Sequence, residues 1–365
     1  MIAVRIERLQ AYQFRNIKSL EYQPHPRLNI FIGANAQGKT NILESIYTLA
    51  HSSSFRTNND RNLVNYHSQL FKLRGEYKIE QRAMEALLVF NREQGKDYKI
   101  NQKKASHSHA DRLRVVLFTP DDLYLVKGNP GKRRAFLDGI LKELSPEFRY
   151  QYDNYQKILK RRNLLLKNGN FNNSSIYALN DIFIDNAARM ILARINLIHN
   201  LEDSAAAAWK EMNREGSLKI RYALSFPVNS GKINLDIIKM SLTEYLHEKR
   251  EEEYTRRTTL AGPHLDDINI YLDDRIAKIF ASQGQQRSIV VSLKLAELYT
   301  IKKITGFYPV FLIDEVLSEL DDEKRQRLID YLGQAPFQSF MSAVSIGDLV
   351  CSEAAVCQVE HGQLR

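Results

Sequence analysis

The chain has 365 residues and a mass of 42.3 kDa, a length that suits two or three domains. With 44% apolar and 26% charged residues and few glycines or prolines it is no collagen-like or low-complexity chain, and its longest apolar runs fall far short of a membrane span. The net charge of +9, with a pI near 9.3, points toward a polyanion partner. The opening MIAVRIERLQ carries charge inside its apolar stretch and is not read as a signal peptide. Cys351 and Cys357 fit neither a disulfide framework nor a metal spacing, and read as reduced thiols of a cytoplasmic protein.

The first 33 residues alternate as strands do, and LNIFI at 28–32 reads as a buried strand. A helix is expected next, with Ile42, Leu43, Ile46, Tyr47 and Ala50 on one face. Period-two segments around Phe71 to Ile79 and at 86–90 predict antiparallel strands, and RVVLF at 114–118 another buried strand. After Pro130 the character changes. Ser145-Pro146 marks a helix start, and Phe148, Tyr152, Tyr155, Leu159 and Leu166 form a heptad stripe with Arg162 at the skipped position. The polar loop 168–175 and a second helical stretch over 176–214 complete a helical hairpin, which either packs in a core or projects as an arm. LKIRYALSF at 218–226 reads as a strand, 235–253 as a charged helix, 268–272 and 275–280 as strands around a turn at Asp273-Asp274, and 309–314 as a fully buried strand.

Gly33-Ala34-Asn35-Ala36-Gln37-Gly38-Lys39-Thr40 matches G-x-x-x-x-G-K-[ST] between a strand and a helix, the context this motif needs. Its backbone N–H groups suit phosphates, Lys39 suits the β- and γ-phosphates of a nucleotide, and the Thr40 hydroxyl suits Mg²⁺. Asp314 and Glu315 end the apolar run at 310–313. The first suits the metal, and the second suits polarisation of an attacking water. Ser282-Gln283-Gly284-Gln285-Gln286-Arg287 opens a helix. Its small, Gly-containing start suits an anion, though from the residues alone an ordinary Ser282 N-cap on an amphipathic helix is the safer reading.

Residues 127–170 hold eleven Lys/Arg against four Asp/Glu, a net of +7. Lys132, Arg133 and Arg134 read as a compact basic turn and, with Lys157, Lys160, Arg161 and Arg162, as contacts for DNA phosphates; a solvated helix face is the alternative. His264 with Asp266 and Asp267 reads as an ordered turn before a strand rather than as a metal cluster.

The order of phosphate loop, long insertion, SQGQQR, Asp-Glu strand and SELD (318–321) resembles the ABC-type ATPases of DNA maintenance, the SMC proteins among them. Phe14-Arg15-Asn16, GKTNILE (38–44), SSSFR (52–56), GPHLDD (262–267), SQGQQRS (282–288), LKLAEL (293–298) and DEVLSELD (314–321) narrow the resemblance to the RecF family of bacterial recombination mediators, over nearly the whole chain.

That resemblance implies an α/β ABC-type ATPase core, lobe I, formed by 1–124 and 256–365, with a mostly helical lobe II inserted at 125–255. It implies ATP and Mg²⁺ as cofactors, held by 33–41 with Asn41 included, and by Arg15, for which a solvated surface position is the equal alternative. Ser282, Gln283, Gly284 and Gln285 would face the ATP of a second subunit, Thr40 and Asp314 would hold the metal, and Glu315 would be catalytic. The implied function is ATP-driven dimerisation on gapped, single- or double-stranded DNA, reset by slow hydrolysis. It serves repair, replication restart and the SOS response alongside other mediators, with no membrane partner. A transporter's nucleotide-binding subunit and a small-molecule P-loop enzyme are the rival readings. The chain departs from the family pattern at Glu315, where the family carries Asp. The segment 338–344 offers no evident switch residue, and 119–122 is the region for a Q-loop, without a glutamine.

Overall fold

The computed structural model describes residues 3–106, 109–169, 174–213, 215–229, 231–347 and 353–365. Cys351, Arg214 and residues 170–173 of the 168–175 loop lie outside these residues. In chain order, β1 (Val4–Phe14), β2 (Ile17–Tyr22) and β3 (Leu28–Ile32) precede α1 (Lys39–His51). Next come β4 (Leu70–Ile79), β5 (Arg82–Asn91), β6 (Gly95–Ile100), β7 (Lys103–Lys104) and β8 (Val115–Phe118). The middle of the chain forms α2 (Tyr124–Lys127), α3 (Pro130–Leu144), α4 (Pro146–Lys167), α5 (Ser174–Met212), β9 (Leu218–Ala223), α6 (Leu235–Glu248), α7 (Arg250–Arg256), β10 (Asp267–Leu272), β11 (Arg275–Ile276) and α8 (Ala277–Phe280). The last part forms α9 (Gln283–Thr305), β12 (Val310–Asp314), α10 (Asp322–Gln334), β13 (Ser339–Ala343), β14 (Ala354–Glu360) and β15 (Gln363–Leu364).

Two compact units result: Met1–Leu123 with Gln283–Arg365, and Tyr124–Ser282. The sequence reading returned the chain to the first unit at 256. The structure places the return at Gln283, because β10 pairs with β9 over its full length, Asp267 opposite Ala223 through Leu272 opposite Leu218. The second unit therefore carries a three-stranded sheet, β11-β10-β9, beside its helices. RIAKIF, read as a strand, gives two strand residues and then the short α8.

In the first unit, one sheet is antiparallel, ordered β2-β1-β4-β5-β6-β7, and the other is ordered β15-β14-β3-β13-β12-β8. The second sheet is parallel except where β15 folds back on β14. Its strands β3, β12 and β13 are buried along almost their whole length because both faces are covered. One core cluster joins the antiparallel sheet, α1 and parallel-sheet residues such as Phe31, Leu312 and Phe340, and Ile42, Leu43, Ile46 and Leu49 of α1 are fully buried in it. Removing such side chains from water is the main stabilising term, about 1.5–3 kcal/mol for each large aliphatic.

In the second unit, α3 starts on Asn129, whose side chain accepts from Lys132 N, with Pro130 at the first helical position. The basic residues read as a turn thus form the first turn of a helix. Ser145 and Pro146 start α4 as expected, with the Ser145 hydroxyl accepting from Phe148 N. The heptad stripe is buried at Phe148, Tyr155, Leu159 and Leu166. The hairpin packs inside this unit: α5 carries α4 on one side and also contacts α3, β9 and α6.

Candidate functional site

The site grows from the end of β3. That strand sits between β13 and β14, and its chain turns outward at Gly33 into a loop whose residues Ala34, Asn35 and Ala36 are exposed. The loop closes at Gly38, and α1 begins at Lys39, so free N–H groups and the positive end of the helix face the loop. Lys39 is buried, and its Nζ donates to the carbonyls of Gly33 (2.8 Å) and Ala34 (3.0 Å), a cation folded onto the phosphate cradle. The Glu315 carboxylate lies 3.4 Å from that Nζ.

β12 delivers Asp314 to the same place. Its Oδ1 accepts from Thr40 Oγ1 at 2.8 Å and from Ser342 Oγ at 2.7 Å. Burial pushes the Asp314 carboxyl above the usual carboxylate range. The Ser342 and Thr40 donors pull against that, and the neighbouring Glu315 charge adds to it. A buried carboxylate that accepts from two hydroxyls, with no ion pair at that oxygen among the described residues, is a fitting ligand for a divalent cation. Glu315 itself has φ of +50°. Its N–H donates to Ser342 Oγ at 2.9 Å, so one hydroxyl holds both acidic residues. A cleft of about 590 Å³ opens beside Glu315, Ser318 and Arg325 and the 343–347 end of β13.

Ser342 was not found from sequence, where 338–344 showed no switch residue. Only the strand register reveals it: Asp314 pairs with Ser342 across two adjacent strands. Arg56 was missed too. Its Nη1 donates to Asn41 Oδ1 at 3.0 Å and lies 3.5 Å from Glu44, and its charge favours ionised Asp314.

The Arg15 guanidinium donates twice to the fully buried Glu44 of α1, at 2.9 and 2.7 Å, and once to the Asn62 carbonyl, which fastens the β1–β2 turn to α1. The signature residues open α9 with Ser282, Gln283 and Gln285 exposed and Gln286 buried. What the fold brings to them is the SELD region: Arg287 pairs with Glu319 at 2.9 Å, and Lys324 Nζ donates to the Gly284 carbonyl. Residues 119–122 form a short turn capped by Asp122, whose Oδ2 accepts from Thr119 N. Further along α9, burial pulls the Lys294 ammonium down, but the Asp122 and Glu297 carboxylates more than offset it and hold the pKa above the ordinary value.

The basic stretch divides. Arg133 is 3% exposed, forms a two-pronged pair with Asp267 (2.7 and 2.8 Å) and donates to the Gly128 carbonyl. It is structural and not available to DNA. Arg162 is likewise 2% exposed, clamped on Glu253, Asn180 and Thr259. Arg134 is half-buried and donates to the Asp266 carbonyl, while Lys132, Lys157, Lys160 and Arg161 are exposed. His264, Asp266 and Asp267 are held by Tyr155, by Tyr222 with Ser225, and by Arg133, respectively.

A parallel sheet carrying a phosphate loop, an Asp-Glu strand end and a separate signature helix define an ABC-type ATPase head of the SMC kind. The chain belongs to the RecF family: the model described as RecF/RecN/SMC N terminal domain matches residues 5–359. It is 36% identical to the DNA replication and repair protein RecF of Halalkalibacterium halodurans, over 99% of each chain. It is 34% identical to the RecF of Pediococcus pentosaceus, over 98% of each. A solved structure of the recombination mediator protein RecF with ATP, of the RecFOR pathway, superposes with a TM-score of 0.85 at 27% identity, covering 100% of this chain and 97% of that one. An SMC head domain from Pyrococcus furiosus shares the fold at a TM-score of 0.56 and 14% identity, covering 99% and 95% of the two chains. Neither rival reading, transporter subunit or small-molecule enzyme, is favoured by these relatives.

Proposed function

We propose that this protein is an ATP-binding recombination mediator that acts on DNA in replication-linked repair. The observation that carries the reading is the convergence of Lys39, Thr40, Asp314, Ser342 and Glu315 at the end of β3, in a chain similar over its full length to RecF proteins. The loop 33–41 binds the phosphates of ATP. Thr40 and Asp314 would hold Mg²⁺, which would supply charge neutralisation for the β- and γ-phosphates. Glu315 takes a proton from the water that attacks the γ-phosphate as ADP leaves, and this hydrolysis resets the dimer.

Ser282, Gln283 and Gln285 lie exposed around the start of α9 with Gly284 half-buried among them, and these four residues face the nucleotide of a second copy, so that ATP closes a dimer. Lys132, Arg134, Lys157, Lys160 and Arg161 contact DNA phosphates, and other mediators of the same pathway are its protein partners. The protein works in the cytoplasm. Among the described residues no helix is long and apolar enough to cross a membrane.

The test is a DNA-binding titration with gapped duplex in the presence of Mg-ATP, Mg-ADP and no nucleotide. Tighter binding with Mg-ATP than with ADP supports the reading, and equal affinity in all three conditions contradicts it.

A further inference from the structure

The phosphate loop is gripped from outside by two turns far away in sequence. Gln37, at its tip, offers two oxygens. Its side-chain Oε1 accepts from the His361 N–H at 2.8 Å, and its main-chain carbonyl accepts from the Gly362 N–H at 2.8 Å. The same carbonyl takes a third donor, Asn16 Nδ2, at 3.1 Å, and Asn16 is held in turn by Asn41 Nδ2 at 2.8 Å. His361 and Gly362 form the turn of the C-terminal hairpin β14–β15, which is closed by Val359 opposite Leu364 and Glu360 opposite Gln363. β14 is also the parallel neighbour of β3, with Gln358 opposite Ile32, so the hairpin rises beside the strand that feeds the loop.

The approach is too close for larger residues. A Cβ on Gly362, whose φ is +76°, would stand 2.7 Å from the Asn16 carbonyl oxygen. A Cβ on Gly33 would stand 2.5 Å from the Val359 carbonyl oxygen. Loop, hairpin and β1–β2 turn are thus packed backbone to backbone at both ends of the cradle. An unsupported glycine-containing loop would populate many shapes and lose that freedom on binding a phosphate chain, which weakens affinity.

We infer that the C-terminal hairpin is a clasp that pre-forms the phosphate loop, with the His361 and Gly362 N–H groups as positioning groups that fix Gln37 and thereby set ATP affinity. This rests on reading 33–41 as the ATP site. The clasp acts on binding and not on the chemical step, because it touches neither Asp314 nor Glu315.

The experiment compares full-length wild type, Gly362→Val and Gln37→Met with Gln363→Ala, which alters an exposed side chain of the same hairpin. ATP affinity is measured by fluorescent-nucleotide titration, turnover at saturating ATP by steady-state kinetics, and melting without nucleotide by calorimetry. Gly362→Val and Gln37→Met, which break the clasp from opposite sides, should each weaken ATP binding about tenfold, as expected for loss of one or two net hydrogen bonds. Turnover at saturation should stay within about twofold in Gly362→Val, and Gln363→Ala should bind like wild type. Should Gly362→Val fail to fold, Gln37→Met alone decides. Wild type that binds ATP while Gln37→Met binds it equally well overturns the clasp. Wild type that binds no ATP overturns the reading of the site itself.

Discussion

The phosphate loop and the basic stretch of the second unit were both picked out by residue type, and the structure treats them differently. In the loop Lys39 turns back onto the Gly33 carbonyl and Thr40 meets Asp314, because the motif specifies a backbone path and its side chains follow. In the basic stretch, two of the eleven cations turn inward onto carboxylates far along the chain, Arg133 onto Asp267 and Arg162 onto Glu253. A charge on a helix becomes a ligand contact or a structural pin depending on what packs opposite, and local sequence does not contain that partner. A motif is therefore worth more than a count of charges.

The comparison can be broken at its strongest point. Lys39→Ala should weaken ATP binding by roughly a hundredfold or more, since it deletes the only cation folded over the cradle among the described loop residues. Nucleotide titration checks this, and affinity within a few-fold of wild type would remove the loop from the account. Glu315→Gln should leave ATP affinity alone and slow turnover by about a hundredfold, in line with the loss of a general base. Unchanged turnover would assign the proton transfer elsewhere.

The basic region separates by readout. Arg133→Ala should lower stability by about 3 kcal/mol, as removal of one partner of a buried pair does, and so depress the melting temperature. A related test uses pH. Burial, with the Arg134, Arg162 and Arg194 charges, lowers the His264 pKa to about 4 from 6.5, against a smaller opposing effect of the Thr259 carbonyl. The unfolded chain takes up that proton at higher pH than the folded one. This contribution to stability is therefore complete above pH 6.5 and is lost as pH falls toward about 4. Thermal melts across that range should show the loss for wild type and less of it for His264→Asn. The smallest effect belongs to the exposed pair. Lys160→Ala with Arg161→Ala should leave melting unchanged and flatten the salt dependence of duplex binding by roughly 0.9 in log–log slope for each lost contact. A melting change with an intact slope would make these residues structural as well.

Sequence reached the fold class, the helical insertion, the phosphate loop and the Asp-Glu strand because each is written in a short window. It missed the start of α3 because Gly131 and three cations disguised a helix start at Asn129-Pro130. It returned the chain to the first unit too early because β10 alternates like any strand, and only its pairing with β9 says which unit owns it. Ser342 was hidden for the same reason: its role comes from standing opposite Asp314 in a neighbouring strand. The Glu44 grip on Arg15 was equally hidden, since 29 residues separate the partners.

The account centres on a site completed by a second copy under the control of ATP. Sedimentation velocity of the wild-type chain with Mg-ATP, with Mg-ADP and without nucleotide, alongside Lys39→Ala and Ser282→Arg, tests it most directly. The account predicts a dimer with Mg-ATP alone, lost in Lys39→Ala because ATP is not bound, and lost in Ser282→Arg although ATP still binds. A wild type that stays monomeric at saturating ATP, or a Ser282→Arg variant that dimerises normally, would contradict it.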